Sequence, residues 1–352
     1  MKFLEIDRYH RQAILPQIGG EGQVRLSRSR VLLVGCGALG GVIAEQLVRA
    51  GVGTLRIADR DLVELTNLQR QILFDESDVR DQTPKAMAAA EKLRRINSSV
   101  VVDPKVIDVH SGNIEELAGL AGGGEPFHLI MDGADNVETR YLLNDVAVKH
   151  GVPWVYGACV GVEGRCLAMA PPKTACLRCI FPQPPLPAEL PTCDTAGVLG
   201  PAAALIASLQ VTAALRILAA ELLQPAPLIA VDLWENRFRT VSTVDAKRAD
   251  CPTCGLRRFD FLDRPADRRS THLCGRNAVQ VSSNEPASVD LHRFAVKLSR
   301  SAKVSETPYL VRCELHDPKE IRLTVFPDGR AIVHGTADME RALSIYARFV
   351  GC

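Results

Sequence analysis

Val31-Leu-Leu-Val34 runs straight into Gly35-Cys-Gly-Ala-Leu-Gly40, and an apolar helical pattern follows to about Ala50. A short β-branched and apolar run, a glycine turn and a helix in that order read as strand, turn, helix. The glycine spacing, Gly35-x-Gly37-x-x-Gly40, lets a backbone approach a phosphate, and the first helical N–H groups favour negative charge there. Working outward, strands are predicted at Thr54–Ala58, Val100–Val102, Phe127–Met131 and Trp154–Tyr156. Helices are predicted at Pro84–Asn97, Gly112–Ala121 and Val137–His150. Strands alternating with helices call for parallel pairing with right-handed crossovers, an α/β fold with a doubly wound, Rossmann-like, mainly parallel sheet.

After Gly157 the pattern changes. Val162–Met169 and Leu228–Leu233 read as further strands, separated by a proline-rich crossover loop at about 182–197 and an Ala/Leu helix from Val198 to Leu223. That helix carries Gln210, Arg216 and Glu221 and is read as buried or at an interface, not as a lipid-facing span. Residues 1–255 form one expected domain and 256–270 an Arg- and Asp-rich linker. Residues 271–352 form a small α+β module with a hairpin around Pro327-Asp328-Gly329 and a helix over Asp338–Phe349.

The 352 residues carry 42 Lys+Arg against 41 Asp+Glu, a net charge of +1, so no broad electrostatic footprint for nucleic acid or an anionic membrane is present. The charged start, Met1 to Arg8, lacks the apolar core of a signal peptide. Eleven cysteines, an odd number, point to metal binding or catalysis in a reducing cytoplasm rather than to disulfides.

Asp59 ends the second strand, where a carboxylate can accept hydrogen bonds from ribose hydroxyls. On the glycines and Asp59 alone a dinucleotide such as NAD remains open. The segment from Asp59 through Asp61, Asn67, Arg70 and Gln71, with Lys85 opening the next helix, is polar and cationic. It suits the β- and γ-phosphates of a nucleoside triphosphate better than a hydride-transfer pocket. Arg70 and Lys85 could instead be ordinary surface charges. Asp135, in Asp132-Gly-Ala-Asp135-Asn136, is placed to hold Mg²⁺ against the triphosphate, although Asp135 or Asn136 could simply cap the next helix.

Cys176-Leu-Arg-Cys179 and Cys251-Pro-Thr-Cys254 are two C-x-x-C pairs that together suit a closed four-thiolate Zn²⁺ site. A redox dithiol or unlinked buried cysteines are the other readings. Cys193 lies before a helix, where a thiol ionises more easily, and is either reactive or a small loop residue. Cys36, Cys159 and Cys166 sit in apolar contexts and read as core.

Arg8-Tyr-His-Arg11-Gln12, the Gly35–Gly40 turn, Asp59-x-Asp61 through Asn67-Leu-Gln-Arg70-Gln71, Pro84-Lys85 and Asp132-x-x-Asp135-Asn136 occur in order. Together they resemble the ThiF/MoeB/HesA family, relatives of ubiquitin-activating enzymes, over about residues 5–255. The resemblance implies that ATP and Mg²⁺ adenylate the C-terminal glycine of a small ubiquitin-like sulfur-carrier protein ending in Gly-Gly, releasing pyrophosphate. Thiamin and molybdopterin biosynthesis are the implied settings. It implies that Asp59, with Asp61 in the same nucleotide set, holds the ribose, that Asn67, Arg70 and Lys85 hold the phosphates, and that Asp135 holds the metal. It further implies a homodimer in which Arg11 reaches the partner's ATP, a Zn²⁺ at the four cysteines, and, in thiamin-pathway members, sulfur transfer through Cys193. The C-terminal module has no evident rhodanese loop, so a sulfurtransferase donor would be a separate protein. A non-catalytic carrier-binding scaffold and an NAD-dependent oxidoreductase are the competing readings.

Overall fold

The computed structural model describes residues 3–185, 193–220, 224–264, 270–272, 277–282, 289–318 and 320–351. The chain divides into two compact units, Met1–Pro265 and Ala266–Cys352.

The first unit opens with α1 (Phe3–Ala13) and α2 (Gly19–Arg28), followed by β1 (Arg30–Val34), α3 (Ala38–Ala50) and β2 (Thr54–Ala58). Next come α4 (Glu76–Arg80), α5 (Lys85–Ile96), β3 (Val101–Lys105), α6 (Ile114–Leu117), β4 (Leu129–Asp132) and α7 (Val137–His150). The unit continues with β5 (Trp154–Val160), β6 (Glu163–Met169), α8 (Leu177–Ile180), α9 (Cys193–Ala196), α10 (Gly200–Ala220), β7 (Leu228–Asp232) and β8 (Arg237–Val241). The strands form one sheet in the order β3-β2-β1-β4-β5-β6-β7-β8. Pairing is parallel from β3 to β5 and antiparallel from β5 to β8.

Period-two alternation sorts the central side chains onto two covered faces. Val31 and Leu33 pack under α3, α5 and α10, while Leu32 and Val34 pack under α6 and α7. Strand order reverses at β1, which lies between β2 and β4, so a crevice opens at the carboxyl ends of β1 and β4, the place where doubly wound sheets bind ligands. α10 is long and apolar enough to cross a membrane, yet more than half of it is buried inside this unit. Its Gln210, fully buried, donates from Nε2 to the Asp132 carbonyl at 2.7 Å. A Cβ on Gly157 would collide with the Gln210 amide, which explains the glycine in β5.

Three local expectations change. The third strand extends through Pro104, tolerated because β3 is the sheet edge and pairs only with β2. The helix expected over Gly112–Ala121 shortens to the single turn of α6, because Gly119 turns left-handed (φ +67) and a run of glycines follows. Residues 256–264, expected as the start of a linker, pack onto the first unit through buried Phe261 and Leu262. Their backbone N–H groups donate to Asp145. Residues 265–269 lie outside the described residues.

The second unit contains β9 (Ser270–His272), β10 (Ala278–Val281), α11 (Leu291–Leu298), β11 (Ala302–Thr307) and β12 (Leu310–Leu315). It is completed by β13 (Arg322–Val325), β14 (Ala331–His334) and α12 (Met339–Phe349). The sheet order is β11-β12-β13-β14-β10-β9, with α11 and α12 on its apolar face. The expected hairpin forms between β13 and β14, with Gly329 at φ +80 and Arg330 O accepting from Phe326 N at 2.9 Å.

Candidate nucleotide and metal sites

The three glycines of the β1–α3 turn do different work. Gly35 is left-handed (φ +88), and a Cβ there would strike the Gly133 carbonyl; one on Gly40 would strike the Gly35 carbonyl. Gly37 is the helix N-cap, has no capping side chain, and faces only the Gln71 amide at 3.7 Å from where a Cβ would stand. The first N–H groups of a thirteen-residue helix are thus left to an external acceptor.

Asp59 is fixed beside this turn, accepting from Cys36 N at 2.6 Å and from Asp61 N at 2.7 Å. Each carboxylate oxygen keeps a further lone pair for a hydroxyl. Burial pushes the Asp59 carboxyl up, opposed by Lys85. Lys85, 5% exposed, lies 2.9 Å from Asp61 Oδ2 through its Nζ. Burial works to lower its pKa, but the fields of Asp61 and Asp59 outweigh it and hold the ammonium above the ordinary lysine range. The structure therefore places Lys85 in a buried ion pair at the edge of the crevice, not on the surface.

Asn67 is buried, and its Oδ1 accepts from Glu64 N at 3.2 Å, stabilising the turn Leu65–Asn67 that carries the chain to Arg70. Arg70 donates to Thr66 O at 2.8 Å and makes no ion pair among the described residues. Between β4 and α7, Asn136 takes the capping role, its Oδ1 accepting from Thr139 N at 2.8 Å. Asp135 is left exposed, near enough to Lys85 and Arg60 to add to the fields on both.

Residues not assigned from sequence build this edge. Asp132 is fully buried and accepts from Ala134 N at 2.9 Å, with Arg140 Nε 3.4 Å from its Oδ2. Burial lifts its pKa to about 6 against Arg140 and the backbone donors. Arg60 is held by Asp108, both carboxylate oxygens lying 3.0 Å from its Nη1. The only sequence signal for either is position: one closes the fourth strand and the other follows Asp59.

Arg11 is not brought to this crevice. It is exposed on α1, and its neighbour Gln12 donates to Ala50 O at 2.9 Å, at the far end of α3. Thirteen helical residues separate that end from Gly37 by about 20 Å.

A second site lies beneath α7. The four sulfurs of Cys176, Cys179, Cys251 and Cys254 all lie within 4.8 Å of one another. Cys176–Cys251 is 3.6 Å, Cys179–Cys254 3.3 Å and Cys176–Cys179 3.9 Å. Tetrahedral Zn²⁺ with Zn–S bonds of about 2.3 Å needs sulfurs about 3.8 Å apart, so the donor set fits a closed four-thiolate metal site. Cys36, Cys159 and Cys166 are buried core residues, and burial pushes the Cys166 thiol up to about 12. Cys193 begins α9, but its side chain, like residues 186–192 of the crossover loop, lies outside the described residues.

Fold and sites define a class: a doubly wound domain with an open glycine turn at its switch point, whose sheet is extended by antiparallel strands and which carries a four-cysteine cluster with the spacing a metal needs. The ThiF family pattern matches residues 9–253, and the chain belongs to the ThiF family. It is 45% identical over 345 residues to the sulfur carrier protein ThiS adenylyltransferase of Bacillus subtilis, covering 98% of this chain and 99% of that protein. It is 39% identical over 258 residues to the sulfur carrier protein adenylyltransferase of Thermus thermophilus, covering 71% of this chain and 91% of that one. Among solved structures, E. coli MccB with MccA-N7isoASN shares the fold at a TM-score of 0.60 and 19% identity, over 71% of this chain and 74% of that one.

Proposed function

We propose that this protein uses ATP to adenylate the C-terminal glycine carboxylate of a small ubiquitin-like sulfur-carrier protein, for sulfur transfer in thiamin or molybdopterin biosynthesis. The observation that carries the reading is the open Gly37 turn beside Asp59, with Lys85 close to Asp61, Asp59 and Asp135, in a chain 45% identical to a ThiS adenylyltransferase along nearly its whole length.

In the reaction a carboxylate oxygen of the carrier attacks the α-phosphorus. A C–O–P linkage forms, the bond between the α-phosphorus and the bridging oxygen breaks, and pyrophosphate leaves with the electron pair. Asp59 orients the ribose, and the α3 N-terminus receives phosphate oxygens. Arg70, without a carboxylate partner among the described residues, swings onto the leaving phosphates, with Asn67 fixing the turn that aims it. Lys85 supplies fixed positive charge, and Asp61 holds it in place. Asp135, released from capping by Asn136, is the carboxylate that would hold Mg²⁺, which supplies neutralisation of the departing charge. Zn²⁺ at the four cysteines would brace the fold, with no coordination position left for substrate.

Arg11 acts on the ATP of a second copy in a homodimer. Its distance from the crevice of its own chain supports this. So do exposed Ile14 and Leu15 just beyond α1 and exposed Leu65 and Ile72 around the Asn67–Arg70 turn, the two segments such a pairing would cover. The carrier meets exposed Trp234, in the turn before β8, and exposed Phe238 on edge strand β8 itself, and an extended segment can add to such an edge. A separate sulfurtransferase supplies the sulfur, and Cys193 serves that later transfer. Among the cysteines whose side chains are described there is no disulfide, in keeping with a cytoplasmic protein. Mass spectrometry of a Gly-Gly-ending carrier incubated with the protein and ATP tests the reading: a carrier acyl-adenylate is expected, and an unmodified carrier with undiminished ATP contradicts it.

A further inference from the structure

Asn144 and Asp145 are adjacent on α7, both fully buried, and they interrupt an otherwise apolar run from Tyr141 to Val148. Each fastens one of the two cysteine pairs. Asn144 Oδ1 accepts from Leu177 N at 2.8 Å, inside Cys176-Leu-Arg-Cys179. Asp145 Oδ1 accepts from the Thr253 hydroxyl at 3.1 Å, inside Cys251-Pro-Thr-Cys254. The other oxygen of Asp145 accepts from Phe261 N at 2.8 Å and Leu262 N at 3.4 Å, closing the turn that follows the last cysteine. Arg178, itself between two of the cysteines, crosses to the second pair: its Nη1 donates to Thr253 Oγ1 at 3.4 Å and to Asp260 Oδ2 at 2.9 Å.

We infer that Asn144 and Asp145 are positioning residues for the four-cysteine metal site, presetting both thiol pairs and so governing how long the metal is held. This rests on reading the cluster as a Zn²⁺ site. The cysteine pairs are 75 residues apart in sequence, so bringing them together costs chain entropy that the metal alone would otherwise have to offset. A buried carboxylate is itself costly unless its lone pairs are filled. Asp145 fills them with three donors, all from the cysteine segment and the turn after it. An apolar residue would pack on the same helix face without reaching the Thr253 hydroxyl. Groups that orient ligands without touching the metal commonly govern affinity by about 10- to 100-fold.

The test uses the full-length, zinc-loaded protein and follows zinc transfer to an excess of a chromogenic chelator, well below the unfolding midpoint of each variant. Thr253→Val and Asp145→Asn are expected to release zinc about 10- to 100-fold faster than wild type, with Thr253→Ser, which keeps the hydroxyl, close to wild type. If Asp145→Asn does not fold, Thr253→Val with its Ser control decides alone. Release at the wild-type rate from Thr253→Val overturns the inference. So does release that accelerates only in step with global unfolding, which is what a general packing role would give. A wild-type protein that neither carries nor takes up zinc removes the metal reading itself, a different outcome from a zinc site indifferent to Thr253 and Asp145.

Discussion

Lys85 Nζ stands 2.9 Å from Asp61 Oδ2, tying the first residue of α5 to the loop beyond β2 at the edge of the nucleotide crevice. Burial disfavours the ammonium, yet Asp61 and Asp59 hold its pKa above the ordinary lysine value. Because the folded-state pKa is raised, the pair's contribution is fully present below about pH 10.4 and is lost only as pH rises through the higher folded value.

Replacing Lys85 by Met removes the nearer cation beside Asp61 and leaves the longer contact with Arg60 Nε at 3.9 Å. The expected loss is about 3 kcal/mol, the lower end for a broken buried pair because Asp61 remains a quarter exposed. Urea unfolding should show this loss unchanged from roughly pH 6 to 9, since Lys85 stays charged throughout. A loss that fades within that range would mean that Lys85 titrates there.

Asp132 shows linkage of the same sign in a lower pH window. Its folded pKa is raised from 3.8 to about 6, mainly by burial, so the native state holds a proton that the unfolded chain releases. This group's contribution is greatest below about pH 4 and declines as pH rises to about 6. Asp132→Asn lacks that slope, so its unfolding midpoint relative to wild type should rise across the same window. A difference independent of pH would contradict the assignment.

Gly157→Ala drives a methyl into the Gln210 amide that holds the Asp132 carbonyl. The expected cost is about 3 kcal/mol, read as a lowered thermal midpoint. A wild-type midpoint would show that α10 can yield at this point.

The central strands and the glycine turn were legible because their signals are local: apolar runs buried on both faces, and Gly35 and Gly40, where a side chain would collide with backbone. The outer strand β8, Arg237-Phe-Arg-Thr-Val241, was not read, because a fully exposed edge strand shows no alternation of buried and polar residues. The spacing of the four cysteines made their clustering legible, but nothing in the sequence marks Asn144 and Asp145 as the residues that bind the two pairs. Their partners lie 33 and 108 residues away, and only the fold brings them together. Lys85 was legible as a cation but not as a buried one, since its burial depends on the return of the chain past Asp61.

Arg11 and Asp135 are expected to belong to one composite site built from two chains. Arg11→Ala and Asp135→Ala proteins, each inactive alone, should regain partial activity when mixed, because a heterodimer contains one intact site. No recovery despite verified subunit exchange would place Arg11 outside the chemistry.

The most direct measurement is carrier-dependent exchange of labelled pyrophosphate into ATP. It reports the reversible adenylation step, which uses the phosphate-binding groups and no thiol. Wild type should exchange only when a carrier ending in Gly-Gly is supplied, and Cys193→Ala should retain that exchange. Asp135→Ala should lose on the order of 100-fold, as expected if a catalytic metal is misplaced. Exchange that ignores the carrier, or that vanishes in a folded, zinc-loaded Cys193→Ala protein while surviving in Asp135→Ala, would contradict the account.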